Sequence, residues 1–324
     1  MTSSVGTSFQ AALAAADQAA GAQHYPAGCL YVVATPIGNL ADITLRALAV
    51  LQRVDTVACE DTRHTASLLT QYGLHKPLLA VHQHNEAQAA EAVVARLQAG
   101  ERVAYVSDAG TPAVSDPGAR LVRAVRAAGL RVMPLPGPSS VTTVLSAAGL
   151  DPADHAPETG GFVFAGFLPP KGREREQALA ELAQARRAVV LLEAPHRMAD
   201  LAQALTNWGP RRVTLGRELT KQFEELATVT CADLPAWLAA TPQRSKGEYA
   251  LVLHPLPPEA APTGLPPAAR RTLELLLAEL PLKTAVRLAC ELTGLPKNTL
   301  YPEALACKAQ TPPGHDDPHR PAAP

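Results

Sequence analysis

Short apolar runs alternate with longer amphipathic stretches along the first half of the chain. Between the runs, stretches such as residues 86–99 and 118–128 repeat apolar positions at helical spacing. Strands that alternate with helices form βαβ units, so residues 28–150 are predicted to fold around a mainly parallel sheet. The runs that predict its strands are residues 30–34, 56–59, 78–82, 102–107 and 131–135.

A second α/β domain is predicted for residues 151–256. Residues 151–160 are polar and rich in proline, which is typical of a domain junction. The later apolar runs lie close together with turn-like spacing, so this second sheet is predicted to be mixed or antiparallel. The runs are residues 162–164, 188–192, 212–215, 226–229 and 249–254.

The remaining segments are predicted to be less compact. Residues 1–27 contain no Lys or Arg, whereas a secretory signal begins with a positively charged region, so they are not expected to be one. They are rich in alanine, whose side chains are too small to dock well, which predicts a disordered tail. The proline-dense residues 257–268 predict a linker. Residues 269–308 predict a small helical module of helix-turn-helix outline, and residues 309–324 a disordered tail.

Composition is typical of a globular protein and narrows the class of function. Hydrophobic residues make up 47% and charged residues 18%, and no apolar run approaches the ~18 residues of a membrane helix. The net charge is −1, so a nucleic-acid surface would have to be a local patch. The 5 cysteines are scattered without a C-x-x-C pair, which predicts reduced thiols in the cytoplasm and no metal site.

Loops rich in glycine and proline follow several of the predicted strands. The longest spans residues 106–118, and shorter ones lie at residues 34–40, 134–140, 165–173 and 193–197. Ligands bind at the carboxyl ends of strands in open α/β sheets, so these loops are predicted to form one site. Neither a G-x-G-x-x-G loop after the first strand nor a G-x-x-x-x-G-K-[ST] loop occurs, which argues against dinucleotide and Walker-type sites. Loops poor in cations suit a ligand with a neutral base and a positive centre.

The ordered set of these loop motifs resembles the tetrapyrrole methylase family. Within that family the chain is similar to the branch that methylates the ribose 2′-hydroxyl of a cytidine in 16S rRNA, in the decoding region. The resemblance runs from Cys29 to about His254, and the C-terminal helical module also fits. It implies an α/β, two-domain (class III) methyltransferase fold. The motifs are Thr35–Asn39, Cys59–Arg63, Ser107–Pro112, Pro136–Ser140, Phe164–Pro169, Leu192–Arg197 and Gly216–Lys221.

The resemblance implies that S-adenosylmethionine binds in a cleft between the two α/β domains, usually in a homodimer. Backbone groups around Asp108, Gly110 and Thr111 would hold its amino-acid part. Its adenine would lie against Phe167 and Leu168. The full set of expected cofactor contacts is Pro36, Gly38, Asp108, Gly110, Thr111, Pro112, Ser115, Pro138, Ser139, Gly166, Phe167 and Leu168.

A ribose hydroxyl is a poor nucleophile while it is protonated, and a positioned base could accelerate transfer by about 10²–10⁴-fold. Asp61, His64, Glu193 and His196 are the candidates. Asp61 and Glu193 are favoured as catalytic residues because both follow predicted strands.

A 16S rRNA substrate, free or within the small ribosomal subunit, requires cations near the site. The candidates for phosphate contacts are Arg63, Lys171, Arg173, His196, Arg197, Arg217 and Lys221, with Arg46, His64 and Arg175 as further possibilities. Acidic residues interleave with the basic ones over residues 171–176, so an ordinary solvated helix start is an equal alternative there.

Two other functions stay open at this point. The same fold could methylate a small tetrapyrrole, although the helical module and the Cys59–His64 motif favour RNA. The chain could also be a non-catalytic ribosome- or RNA-binding protein that keeps a vestigial cofactor pocket.

Overall fold

The computed structural model describes residues 5–82, 85–115, 117–151, 161–256, 265 and 267–310. The chain divides into two compact units, Met1–Leu256 and Pro257–Pro324. Three predicted segments lie wholly or mostly outside the described residues. They are the junction 151–160 beyond its first residue, most of the linker 257–268, and the tail 309–324 beyond residue 310.

The first sheet is fully parallel, as the alternation of strands and helices predicts. Its strands are β1 (Cys29–Val33), β2 (Thr56–Cys59), β3 (Leu78–Ala80), β4 (Val103–Val106) and β5 (Arg131–Leu135), in the order β3-β2-β4-β1-β5. The helices that connect and follow them are α2 (Leu45–Arg53), α3 (Thr62–Gln71), α4 (Glu86–Gln98), α5 (Ala119–Ala127) and α6 (Ser140–Ala147). Side chains alternate across each strand, so Tyr31 and Val33 pack in the cluster with α2 and α3, while Leu30 packs with α4 and α5.

Residues 5–20 form a docked helix, so the prediction of a disordered tail over residues 1–27 is wrong for this part of the chain. Helix α1 (Val5–Ala20) buries Ala16 and Ala20 against α2 and α3. Phe9 meets the Tyr72 ring edge-on at 4.9 Å between centroids, and Asp17 pairs with Arg53. Small alanine side chains let two helices approach closely, so low bulk here favours docking.

The second sheet is mixed, as the spacing of the later strands predicts. Its strands are β6 (Phe162–Phe167), β7 (Ala188–Glu193), β8 (Arg212–Arg217), β9 (Glu225–Thr230) and β10 (Tyr249–Leu253), in the order β6-β7-β10-β8-β9. The β6–β7 pair is parallel and the other pairs are antiparallel. Its helices are α7 (Gly172–Ala183), α8 (Met198–Leu205) and α9 (Leu234–Ala239). Together the two sheets confirm the predicted α/β fold class.

The second compact unit contains a three-helix module around Leu273, Ala289 and Leu300. Its helices are α10 (Pro267–Glu279), α11 (Leu282–Thr293) and α12 (Lys297–Gln310). Gly294 ends α11 in the left-handed conformation, with φ of 70°, as the sequence predicts. Helix α10 begins within the predicted linker, because proline is tolerated in the first turn of a helix.

No helix among the described residues is long and apolar enough to cross a membrane.

Candidate functional site

A cleft of about 370 Å³ opens between the two sheets of the Met1–Leu256 unit. Its lining divides into two sets, which we call the first wall and the second wall. The first wall comprises Ile37, Ala109, Gly110, Thr111, Val114, Ser115, Ser139, Ser140 and Val141. The second wall comprises Phe164, Phe167, Leu192, Glu193, Ala194, Pro195, Gly216, Leu219, Lys221, Glu248, Tyr249 and Ala250.

The loops of the first wall are tied to one another by hydrogen bonds. Thr35 and Gly110 exchange backbone hydrogen bonds of 2.9 and 3.0 Å, which join the loops after β1 and β4. The Thr111 hydroxyl donates to the Pro138 carbonyl at 3.1 Å, which joins the loop after β4 to the one after β5. The three loops therefore form one surface, and its described lining carries backbone, small polar and aliphatic groups but no ionisable side chain.

Backbone strain is concentrated beside the cleft. Among the described residues, the non-glycine residues with positive φ are Ala113 (66°), Ser115 (68°), Glu218 (49°) and Thr220 (67°). The first two lie in the loop after β4 and the other two in the turn after β8, so strained residues lie beside both walls. Such conformations cost of order 1–3 kcal/mol each and cluster at functional sites.

Glu193 lies buried in the second wall, at the end of β7. Its carboxylate Oε1 is 3.1 Å from Nε of Arg197, and its Oε2 is 3.9 Å from Nη1 of Arg175. Arg197 also donates to the carbonyl of Leu168 at 2.6 Å, and Arg175 donates to that of Pro169 at 3.2 Å. The cluster therefore holds the loop after β6 onto the end of β7.

A second charged group surrounds Lys221. Its Nζ lies 2.9 Å from Oε1 of Glu218 and 3.1 Å from Oε2 of Glu248. Burial alone would lower the pKa of Lys221, but the bonds to both carboxylates outweigh burial and raise it. Burial alone would likewise raise the pKa of Glu218, but hydrogen bonds from Lys221 and from the backbone N–H of Glu248 hold it below its usual value.

Two glycines leave the space in which the Lys221 group sits. A Cβ on Gly38 would lie 2.4 Å from Cγ of Lys221, and one on Gly247 would lie 2.4 Å from Cγ of Glu218. Any other residue at either position would displace this ion-pair network. Gly38 thus provides contact between the loop after β1 and the turn after β8.

The expected cofactor residues fall into two groups. Gly110, Thr111, Ser115, Ser139 and Phe167 line the cleft. The others are outside the lining, namely Pro36, Gly38, Asp108, Pro112, Pro138, Gly166 and Leu168.

Several residues outside the lining have a supporting position instead. Leu168 is buried in the core of the second sheet, so the structure does not present it to an adenine. A Cβ on Gly166 would lie 3.1 Å from Oγ of Ser115, so Gly166 permits close approach of β6 to the loop after β4. Oδ1 of Asp108 accepts from the backbone N–H of Asp61 at 3.3 Å, which joins the ends of β2 and β4.

The two favoured catalytic residues lie in different surroundings. Glu193 lines the cleft, whereas Asp61 lies outside the lining and caps α3 by accepting from the backbone N–H groups of Arg63 and His64. The hydrogen bond from the Arg63 backbone is the main reason why the pKa of Asp61 lies below its usual value. A carboxylate with a lowered pKa that also caps a helix is a weak base, so the structure does not favour Asp61 as the group that takes the proton from the ribose hydroxyl.

The expected RNA contacts also separate by exposure. Arg63, Lys171, Arg173 and His196 are exposed, and Lys221 lines the cleft. Arg197 is only partly exposed and holds the Glu193 cluster together.

Arg217 is a different case, because it is buried. Its Nε donates to the Lys246 carbonyl at 2.8 Å and its Nη1 to the Phe223 carbonyl at 3.2 Å. The structure therefore gives Arg217 a role in holding the turn after β8 and does not present it to a polyanion.

Sequence reasoning missed Glu248 and Tyr249. Tyr249 is the first residue of β10 and pairs with Glu193 at the end of β7 and with Arg217 at the end of β8. Because β10 is antiparallel to both, its amino end lies where their carboxyl ends lie. The signal that could have identified these residues was the predicted antiparallel pairing of the second sheet.

Comparison with known proteins agrees with this architecture. The sequence matches the family described as Tetrapyrrole (Corrin/Porphyrin) Methylases over residues 29–235, and the RsmI C-terminal HTH domain over residues 263–308. A solved structure of a cobalamin biosynthetic enzyme, cobalt precorrin-4 methyltransferase, aligns with a TM-score of 0.53 at 20% identity. That alignment covers 71% of this chain and 98% of the other, and it shows the same fold.

Relatives with much higher identity come from bacteria. Ribosomal RNA small subunit methyltransferase I of Escherichia coli O157:H7 is 49% identical over 280 residues, which are 86% of this chain and 95% of that protein. The protein of the same name from Neisseria meningitidis serogroup B (strain ATCC BAA-335 / MC58) is 48% identical over 282 residues, 87% of this chain and 94% of that protein. The chain therefore belongs to the tetrapyrrole methylase family and, within it, to the ribosomal RNA small subunit methyltransferase I family.

Proposed function

We propose that this protein is an S-adenosylmethionine-dependent methyltransferase that modifies the ribose 2′-hydroxyl of a cytidine in 16S rRNA of the small ribosomal subunit. The observation that carries the proposal is 49% identity over 95% of a relative named for methylation of small-subunit rRNA. The likeness extends along almost the whole relative, so it includes both walls of the cleft. The decoding region is the proposed location of the cytidine.

The cleft has the chemistry that this cofactor needs. Its volume of about 370 Å³ lies within the roughly 300–1,000 Å³ of ligand pockets. The first wall carries no cation, which suits a ligand whose sulfonium is positive. When bound, S-adenosylmethionine supplies an electrophilic methyl group.

On this proposal, Gly110, Thr111, Ser115, Ser139 and Phe167 contact the cofactor, because they line the cleft. Their backbone and hydroxyl groups would fix its orientation. Alignment of reacting atoms can supply roughly 7–11 kcal/mol of a transfer barrier, so a rigid first wall is itself a catalytic device.

The exposed cations Arg63, Lys171, Arg173 and His196 are proposed as rRNA contacts. Contacts of this kind position a polyanion through its phosphates. Replacing any one of them with alanine should therefore lower affinity for the rRNA substrate without changing affinity for the cofactor.

We also propose that the protein is a cytoplasmic homodimer. Phe162 and Val163 begin the edge strand β6 and are 47% and 44% exposed. An exposed apolar edge strand is unusual in a monomer, and a second copy would cover it. Sedimentation equilibrium should give twice the chain mass for the wild type, and Phe162→Glu should shift it towards the monomer.

The decisive experiment is transfer of radiolabelled methyl groups by the wild-type protein. Isolated small subunits, free 16S rRNA and a corrinoid precursor would be the acceptors, followed by mapping of ribose methylation on the rRNA. Label in 16S rRNA at a cytidine ribose is the expected result. Label only in the corrinoid would establish the small-molecule alternative, and binding to small subunits without label would establish the non-catalytic one.

A further inference from the structure

We propose that Lys221 and Glu248 activate the acceptor: Glu248 accepts the proton of the attacking 2′-hydroxyl, and Lys221 stabilises the charge that develops on its oxygen. The inference rests on the proposed function, because it requires a hydroxyl as the acceptor. It moves the chemistry away from Asp61 and Glu193, the carboxylates at the carboxyl ends of β2 and β7.

Accessibility separates the charged groups of the cleft. Among the described lining residues, the acidic and basic side chains are those of Glu193, Lys221 and Glu248. Their exposed fractions are 1%, 31% and 80%. An acceptor that arrives from solvent can reach Lys221 and Glu248, which solvent reaches, whereas Glu193 is almost fully covered. The acceptor should therefore meet Lys221 and Glu248 and not Glu193.

The surroundings of Glu193 also argue against its use as a base. Arg197 and Arg175 lie 3.1 and 3.9 Å from its two carboxylate oxygens. Protonation of Glu193 would leave two partly buried guanidinium groups without their counter-charge, which is costly. Glu193 is better suited to hold the cleft wall in place.

The Lys221–Glu248 pair, by contrast, is fixed in position while staying accessible. Oε1 of Glu218 also lies 2.9 Å from the Lys221 ammonium, and the positive φ of Glu218 and Thr220 shapes the turn that carries the lysine. Gly38 packs against the lysine stem. A preorganised charge needs no reorganisation at the moment of reaction, which is the main advantage of such groups in catalysis.

The charge state of Lys221 determines its role. Both carboxylates raise its pKa, and the nearby Arg217 is itself bonded to backbone carbonyls and to Glu225. Lys221 is therefore protonated at neutral pH and acts as a donor. The base of the pair has to be Glu248.

The step balances with these two groups and the sulfonium methyl donor of the proposed function. The ribose oxygen forms a bond to the methyl carbon, the bond from that carbon to sulfur breaks, and its electron pair stays on sulfur. The hydroxyl proton passes to a Glu248 oxygen and then to water. The products are a ribose methyl ether and the neutral thioether of the donor.

The test compares Glu248→Gln, Lys221→Ala and Lys221→Arg with the wild type on isolated small subunits. Matched controls are Glu91→Gln and Arg126→Ala, which change exposed charges on α4 and α5 outside the cleft lining. Measurements are kcat, the KM for subunits, the Kd for S-adenosylmethionine by calorimetry, and thermal unfolding to show that each variant is folded.

We expect kcat to fall about 10²–10⁴-fold in Glu248→Gln and about 10²–10³-fold in Lys221→Ala, with partial recovery in Lys221→Arg. The Kd for the cofactor should stay within about twofold, and the controls should match the wild type. An unchanged kcat in Glu248→Gln would overturn the inference.

Other results would reassign the residues. A raised KM with normal kcat in Lys221→Ala would make Lys221 a phosphate contact only. A weakened Kd with normal kcat would make it a cofactor contact only. Either result overturns the inference while the wild type still methylates rRNA. Absence of methyl transfer by the wild type would instead remove the proposed function, and the inference with it.

Discussion

The two walls of the cleft differ in chemistry although both are built on five-stranded sheets. The first wall comes from an all-parallel sheet and presents glycine, serine and threonine, whereas the second comes from a mixed sheet and contains the charged residues Glu193, Lys221 and Glu248. This division suggests that one wall orients the cofactor and the other acts on the acceptor. Substitutions in the first wall should then change the affinity for the cofactor. Substitutions in and beside the second wall should change stability and its dependence on pH, because they disturb paired charges.

The largest expected effect concerns the buried charges of the second wall. Glu193→Ala should lower the free energy of unfolding by about 3–5 kcal/mol, because it leaves Arg175 and Arg197 beside the cleft without their carboxylate. Chemical denaturation measures this loss. The control is Asp17→Ala, which breaks an ion pair with a largely exposed carboxylate and should cost about 0–1 kcal/mol. Equal losses in the two variants would mean that the Glu193 cluster is no more than a surface pair.

The next effect concerns the first wall. Gly110→Val should weaken cofactor binding at least about 100-fold, because its side chain would enter the cleft from a residue with φ of 81° that suits only glycine. Calorimetric titration gives the Kd. Gly129→Val is the control, since Gly129 has φ of 72° but nothing within 4 Å of an added Cβ. If Gly129→Val weakened binding as much, backbone strain and not cleft occupancy would be the cause.

A smaller effect should follow from loosening the first wall without blocking it. Thr111→Val removes the hydrogen bond to the Pro138 carbonyl while keeping the side chain's shape. The cofactor-binding free energy should weaken by about 0.5–1.5 kcal/mol, which corresponds to a roughly 2- to 10-fold higher Kd, with little change in kcat. Ser146→Ala, which removes a similar bond on the exposed face of α6, should leave the Kd unchanged. A fall in kcat alone would show that the first wall also shapes the reaction.

The smallest effect is a pH dependence confined to the second wall. Because the folded pKa of Glu218 lies below its unfolded value, its stabilisation is present above about pH 4.5 and is lost as the pH falls through the folded pKa. Glu218→Gln should therefore lose less stability than the wild type between pH 6 and pH 3, as measured by urea denaturation. Glu91→Gln, which removes an exposed charge on α4, serves as the control. If all three proteins lost the same stability between pH 6 and pH 3, the acid sensitivity would come from groups other than Glu218.

The parallel sheet is the region where sequence reasoning succeeded most fully. Its strands are short apolar runs separated by helices, and its loops at the carboxyl ends contain Gly110, Thr111 and Ser139. A single local rule connects the order of elements to the place where a ligand binds. The same rule could not find Glu248, which lies at the amino end of an antiparallel strand and comes to the cleft only through pairing with β7 and β8.

The N-terminal helix shows a different limit. Its alanine-rich pattern gives little apolar bulk, so the sequence suggests that it would not dock. The structure places Ala16 and Ala20 against α2, with Phe9 on Tyr72. Whether small side chains leave a helix loose or allow close packing depends on the surface that faces them, which local sequence does not contain.

The sequence by itself determined the order of strands and helices, the parallel and mixed character of the two sheets, and the loops of the first wall. These depend on periodicity and on residues such as glycine and proline, whose effects are local. Only the tertiary structure decided which charged side chains are paired, buried or accessible. Arg217 is buried under its own turn, Glu193 lies between two arginines, and Lys221 joins Glu218 to Glu248. The environment of a charge depends on residues distant in sequence, so residue type and position along the chain could not assign these roles.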